Sequence, residues 1–199
     1  MRIGILGRGG MADALGSRWA RAGHEVVAGS RAGGVREAAE FGTDAVLLAL
    51  PYEAVVEVVG GLEEVLRGRV LVDCTNPVGA GFRLLTAGGP AAAERIAAAA
   101  PGARVVKAFN LCHVDVWRLT PPVFDGRPLA VPLCGDHDAA LSVVRRLVRD
   151  LGCEPVNAGG LDRAGLVEAT AALLIGLWVG EGVDAQAIVP PVEFAGARE

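Results

Sequence analysis

Two periods alternate along this chain. Short apolar runs are followed by longer stretches whose apolar residues recur every three to four positions, the signatures of strand and helix. The pattern predicts strands at Arg2–Leu6, His24–Ala28, Ala45–Leu50, Val70–Asp73 and Arg104–Ala108. Between them it predicts helices at Met11–Ala22, Val35–Phe41, Tyr52–Val59, Leu62–Leu66 and Ala91–Ala100. Strands without a polar face, separated by helices, belong to a parallel sheet covered on both sides.

The second half is less regular. Leu129–Cys134 reads as a strand, and Pro132, which has no N–H for a ladder, argues for an edge position. Asp138–Leu151 is an amphipathic helix with Ala140, Val144, Leu147 and Leu151 in one stripe and Arg145, Arg146 and Arg149 facing away. A short strand at Glu154–Val156 and a long apolar helix at Arg163–Val179 follow, then an extended tail through Pro190 and Pro191. The apolar run Ala169–Gly180, bounded by Glu168 and Glu181, is too short for a bilayer and reads as a buried helix.

The first strand runs directly into Gly7-Arg8-Gly9-Gly10-Met11-Ala12, a G-x-G-x-x-A turn between a strand and a helix. Each small residue has a physical use there. Gly7 permits the tight turn, Gly9 lets a pyrophosphate approach the backbone, and Ala12 lets the helix pack closely on the sheet. The pyrophosphate then meets the free N–H groups at the helix N-terminus. An α/β chain with a Rossmann-type doubly wound parallel sheet is therefore expected, as a dinucleotide-binding domain over residues 1–157 followed by a small helical C-terminal segment over 158–199.

The end of the second strand discriminates between the two pyridine dinucleotides. NAD-binding sites usually place an acid there for the ribose hydroxyls. Here the strand ends Ala28-Gly29-Ser30-Arg31, and Glu25 lies at its other end. A hydroxyl and a planar guanidinium suit a 2′-phosphate, so NADP(H) is the expected cofactor, with Arg36 as a second positive contact. The competing reading makes Arg31 a solvated surface charge. Leu50 and Pro51 end the third strand and Asn76 and Asn110 follow the fourth and fifth, so all four point into the same crevice. Each Asn either bonds cofactor or substrate or simply caps a loop. Lys107 stays unassigned, because sequence does not fix which face of its strand it occupies.

Composition narrows the picture. The 199 residues are 52% hydrophobic and 21% charged, with a formal net charge of −4, which describes a folded chain without a basic surface for nucleic acid or anionic lipid. Cys74, Cys112, Cys134 and Cys153 have no C-x-x-C spacing and the three histidines are scattered, so neither a metal site nor a dithiol motif is expected. Free thiols in a reducing cytoplasm are the expectation.

Met1-Arg2-Ile3-Gly4-Ile5-Leu6-Gly7, Gly29-Ser30-Arg31 and Val105-Val106-Lys107-Ala108-Phe109-Asn110 together resemble the F420-dependent NADP reductases. The resemblance continues through Cys134-Gly135-Asp136 and the next helix to Leu151-Gly152, and so covers most of the chain. It implies hydride transfer between NADP(H) and the deazaflavin coenzyme F420, while relatives of the fold reduce flavins or ferric complexes. It further implies that Gly9, Gly10 and Met11 cradle the pyrophosphate and that Ser30 and Arg31 hold the 2′-phosphate. The acceptor would stack on the nicotinamide in a cleft closed by the C-terminal segment.

Three departures stand out. Leu111, followed by Cys112 and His113, replaces the family's usual Thr. The Lys that often follows Ser-Arg is absent, Arg36 being its nearest substitute. The stretch Trp117–Pro128 has its own character.

Two stacked rings exchanging hydride need little acid–base help, which agrees with the scarcity of catalytic-looking groups. His113 is the one titratable candidate near the cleft, as a proton donor or an anion contact, against the commoner structural role of a lone His. Trp178 is expected in the core. Two alternatives to F420 reduction remain open: an NADPH-dependent reductase of a flavin, imine or alkene, and a non-catalytic NADPH sensor. The apolar last helix is expected to form a homodimer.

Overall fold

The computed structural model describes residues 1–30, 32–184 and 188. Arg31 and the Pro190-Pro191 tail lie outside the described residues.

Seven strands form one sheet in the order β2-β1-β3-β4-β5-β8-β9. β1 (Arg2–Leu6), β2 (Glu25–Gly29), β3 (Ala45–Leu48), β4 (Val70–Asp73) and β5 (Arg104–Lys107) are parallel to one another. The chain crosses β1 between β2 and β3, so the strand order reverses there, and ligands of such sheets bind in the crevice beyond the carboxyl ends of these strands. Helices α1 (Gly10–Arg21), α2 (Val35–Phe41), α3 (Tyr52–Gly60), α4 (Glu63–Leu66) and α5 (Ala92–Ala99) fall where the apolar period put them.

Close backbone packing explains several glycines at this end of the sheet. A Cβ on Gly29 would lie 1.9 Å from the Gly34 carbonyl oxygen, and one on Gly4 would lie 2.0 Å from that of Ala38. Only glycine lets α2 and the turn before it press on the sheet so tightly.

The second half departs from expectation in three ways. After a two-strand ribbon, β6 (Val123–Phe124) with β7 (Arg127–Pro128), the chain enters β8 (Ala130–Gly135). β8 is internal, not an edge strand: it pairs antiparallel with β5 and parallel with β9 (Glu154–Gly159), making the sheet mixed. Pro132 is tolerated because β5 pairs only with Cys134 and Gly135, leaving that side of β8 open around the proline. The boundary expected at 157/158 falls inside β9.

The helix α6 (Asp138–Arg149) buries its predicted stripe of Ala140, Val144 and Leu147 against β4, β5 and β8. The last helix differs most from its reading. α7 (Ala164–Ile175) continues into a wider π-helical turn, Gly176–Glu181, so the helical run Leu161–Glu181 is 21 residues long and apolar enough to span a bilayer. It is not buried throughout, since only 28% of its most apolar window is covered. Glu168 nevertheless ties it to the sheet.

Candidate active site

The turn after β1 is shaped by neighbouring backbone. Gly7 has φ +132°, its N–H donates to the Gly29 carbonyl at 2.7 Å, and a Cβ there would lie 2.0 Å from the Ala49 carbonyl oxygen. Gly9 is different. Its φ of −83° suits any residue, and a Cβ would meet nothing within 4 Å. Sterics inside the protein demand glycine at position 7 but not at position 9, where the open space matches a ligand pressed against the backbone. α1 starts at Gly10 without a side-chain cap, so its first N–H groups face this space.

A crevice of about 330 Å³ runs from Gly9, Gly10 and Met11 past Leu50 and Pro51 to Thr75 and Asn76. It brings together Gly9, Gly10, Met11, Leu50, Pro51 and Asn76, six of the residues that the sequence pointed at. Thr75 was not among them, although its hydroxyl is buried and lacks a hydrogen-bond partner among the described residues. An orphaned hydroxyl beside the crevice is a ready contact for a polar ligand. The crevice, the open face of Gly9 and this hydroxyl fit a dinucleotide.

On the other side of α1, the Arg8 guanidinium donates to the Ala28 carbonyl at 3.2 and 3.4 Å, which holds it at the carboxyl end of β2 beside a shallow hollow of about 360 Å³. Ser30 follows, its backbone closing a tight turn with Gly33. Arg36 lies on the exposed face of α2, 3.9 Å from Glu40. Arg8 is thus bonded to the strand tip, whereas the ion pair of Arg36 is within its own helix.

A second cavity of about 490 Å³ opens next to the crevice and shares Met11, Cys74 and Asn76 with it. Its other walls come from the 109–114 segment and from Ile175, Trp178 and Val179. Trp178 is 39% exposed and faces this space, so it is a wall and not the core residue expected. Phe109 anchors the floor. It adopts a left-handed φ of +62° while its ring is held edge-on between Trp19 and Trp117, at centroid distances of 5.8 and 5.4 Å.

Asn76 and Asn110 bond each other. Asn76 Nδ2 donates to the Asn110 carbonyl at 2.7 Å, and Asn110 Nδ2 donates to Asn76 Oδ1 at 3.0 Å and to the Val167 carbonyl at 3.3 Å. The pair locks the strand ends together, as the loop-capping reading expects, and also lines the cavity. His113 sits at the rim, largely exposed, with Nδ1 3.2 Å from Asp115 Oδ2.

Beneath this floor lies a cluster that the sequence left unassigned. The Lys107 ammonium is fully buried, 2.9 Å from Asp73 Oδ2, 3.1 Å from Glu168 Oε1 and 2.6 Å from the Thr75 carbonyl. Burial alone would lower its pKa, but the Asp73 and Glu168 carboxylates outweigh burial and raise it above the usual 10.5. Glu168 also accepts from the Ala92 and Ala93 N–H groups at 2.9 and 3.2 Å, so the surplus negative charge rests on the N-terminus of α5. A signal existed in the sequence, since both Lys107 and Glu168 interrupt otherwise apolar segments.

The cysteines are free, and burial pushes the Cys74 thiol up to about 12 and the Cys112 and Cys153 thiols up to about 11, so none is a thiolate near neutral pH. Among the described residues no group of three or more His, Cys, Asp or Glu side chains forms a metal site.

A strand order reversing at β1, a glycine turn leading into α1 and a crevice at the strand ends define a Rossmann-type dinucleotide-binding protein. Comparison with known proteins is more specific. Residues 2–41 match the family described as NADP oxidoreductase, coenzyme F420-dependent. The F420-dependent NADP reductase of Methanocaldococcus jannaschii is 32% identical over 149 residues, which are 71% of this chain and 65% of that one. Rat metalloreductase STEAP3 is 31% identical over 89% of this chain and 38% of its own length. The chain thus spans just under two thirds of the first relative and well under half of the second. A crystal structure titled as a putative F420-dependent NADP reductase, from Arthrobacter sp. FB24, superposes with a TM-score of 0.81 over 92% of this chain and 96% of that one, at 24% identity. This chain is thus similar to the F420-dependent NADP oxidoreductases, most directly through its first strand, glycine turn and second strand.

Proposed function

We propose that this protein is an NADPH-dependent oxidoreductase that passes hydride between NADP(H) and a planar ring acceptor, with coenzyme F420 as that acceptor. The observation that carries the reading is the cavity of about 490 Å³ opening directly off the crevice at Gly9 and sharing Met11, Cys74 and Asn76 with it. When bound, the nicotinamide supplies the hydride, which carries both electrons. The chain's own residues bind, orient and exclude water. Gly9 and the α1 N-terminus receive the pyrophosphate, and the Thr75 hydroxyl and the Asn76–Asn110 pair orient the nicotinamide half. Met11, Leu111, Ile175 and Trp178 give the acceptor a dry, stackable pocket. Holding two rings within reacting distance supplies most of the rate, which agrees with a cleft poor in acids and bases.

Ser30, Arg31 and Arg8 hold the 2′-phosphate in this reading, Arg8 taking the part first given to Arg36. A nucleotide sensor needs no second cavity, so catalysis is preferred. Reduction of another acceptor is the second reading, favoured by His113 at the cavity rim, which can hold a proton for a product anion. The C-terminal segment, 158–199 by the sequence reading, closes the acceptor side. Two copies pair through the exposed face of α7 and the π-helical turn after it, where Leu166, Leu173 and Val179 are 59%, 56% and 71% exposed; a monomeric mass by sedimentation at micromolar concentration would rule this out. The proposed setting is the cytoplasm.

Anaerobic mixing with NADPH and either F420 or FMN, followed at the nicotinamide absorbance band, tests the function. Rapid oxidation with F420 is expected, whereas oxidation with FMN alone selects the second reading and no oxidation at all leaves the sensor. In the same assay Arg8→Ala should raise the KM for NADPH about tenfold, as expected for losing one charge-assisted contact, and leave that for NADH unchanged. Equal losses would remove Arg8 from the phosphate site. His113→Ala should leave F420 reduction unchanged; a sharp fall would make His113 the proton donor.

A further inference from the structure

α7 is apolar on nearly every side, with Leu166 and Leu173 exposed on a helix whose other residues include Ala164, Val167, Ala171 and Ala172 in the core. Apolar contact is non-directional, so such a helix can rotate or slide on its neighbours at little cost. The ring of Phe82, which packs on Gly176 near the far end, adds a contact of the same kind. Directional bonds must therefore set the rotation and height of α7. Two groups on α7 supply them: the Val167 carbonyl, which accepts from Asn110, and the Glu168 carboxylate, bonded to Lys107 and to the Ala92 and Ala93 N–H groups.

Ile175 lies on the same face of α7 as Glu168, about two turns further along. The next turn carries Trp178 and Val179, and all three wall the cavity beside the crevice. Turning α7 about its axis would swing this wall across the cavity. At the other end of the tie, Lys107 grips the carbonyl of Thr75, whose neighbour Asn76 lines both cavities. One buried ammonium thus joins the cofactor-side strand tip to the helix bearing the acceptor-side wall.

We propose that Glu168 is a positioning residue for hydride transfer: bonded to Lys107 and to the first turn of α5, it fixes α7 so that the Ile175–Trp178 wall holds the acceptor ring in register with the nicotinamide. This rests on the hydride-transfer reading above. Glu168 touches neither substrate nor cofactor and acts only through the helix.

Glu168→Gln tests it. The amide keeps one oxygen for the α5 N–H groups but loses the charge that holds Lys107, and it turns an N–H₂ toward groups that are themselves donors. Misplacement by about 1 Å can slow such a reaction about 100-fold. The expected result is a 10- to 100-fold slower single turnover of bound NADPH with F420 (or FMN, if wild type uses that), and a larger primary isotope effect with 4-deuterated NADPH. The Kd for NADPH should stay within about twofold, because the crevice residues keep their places.

A second readout needs no substrate. Trp19 and Trp117 are 0% and 3% exposed while Trp178 is 39% exposed, so acrylamide quenching reports chiefly on the wall and should change in the variant without ligand. If Glu168→Gln does not fold, Glu168→Asp, which keeps the charge but withdraws it by one methylene, is read in the same way. A wild-type isotope effect and quenching, an equal loss of NADPH affinity, or failure of both variants to fold would overturn the proposal. Absence of hydride transfer in the wild type would instead overturn the functional reading beneath it.

Discussion

Gly9→Asp is expected to abolish NADPH binding while leaving the fold as stable as wild type. The backbone at Gly9 has φ −83° and ψ −173°, open to any L-residue, and a Cβ there meets no protein atom within 4 Å. Asp is moreover a favoured residue at the position before a helix, where its oxygen accepts from an otherwise unpaired N–H. The protein should therefore tolerate it or gain slightly in melting temperature. The pyrophosphate would not, because its space would be filled by a carboxylate and its N–H donors taken. An affinity loss of at least about 100-fold, the order expected when charge-assisted bonds give way to repulsion, should appear in calorimetric titration.

Gly7→Ala makes the contrast. It places a methyl 2.0 Å from the Ala49 carbonyl at φ +132°, so it should fail to give folded protein. If Gly9→Asp binds NADPH as tightly as wild type, the pyrophosphate does not lie on this turn.

Lys107→Met should cost about 3–5 kcal/mol of unfolding free energy, the range found when one partner of a buried ion pair is removed. Methionine fills the volume of the alkyl stem but leaves the Asp73 and Glu168 carboxylates without their shared cation, and the Thr75 carbonyl without its donor. Against a typical domain stability of about 5–15 kcal/mol, this brings the variant near the folding threshold, as urea denaturation would show.

The pH dependence has a definite sign. The folded-state pKa of Lys107 is raised, so its contribution is complete below the usual value of 10.5 and is lost as pH climbs through the higher folded value. The stability gap between wild type and Lys107→Met should thus be full at pH 7–9 and close only above 10.5. A gap absent at neutral pH would mean that the ammonium is not held between the two carboxylates.

The glycine turn and its crevice were legible because local chemistry writes them. Gly7, Gly9 and Gly10 lie within four positions of one another, and a strand leading into a helix must bring them to the sheet end. The second cavity was not. Trp178 was read as core because an apolar helical period says that a residue is apolar, not what it faces. Pro132 was read as an edge marker, yet it sits in an internal strand whose neighbour stops short of it. Lys107 carried no assignment, since its partners Asp73 and Glu168 lie 34 and 61 positions away and meet it only across the fold.

By itself the sequence determined the alternation of strands and helices, the glycine turn after the first strand and the absence of an acid after the second. All of these are local, fixed by side-chain period and backbone permission over a few residues. The tertiary structure alone decided that Arg8 is bonded to the tip of β2, that the last helix walls a cavity, and that one ammonium binds that helix to the sheet. Those outcomes depend on which distant segments share a contact, and burial and charge pairing are settled only when the whole chain has packed.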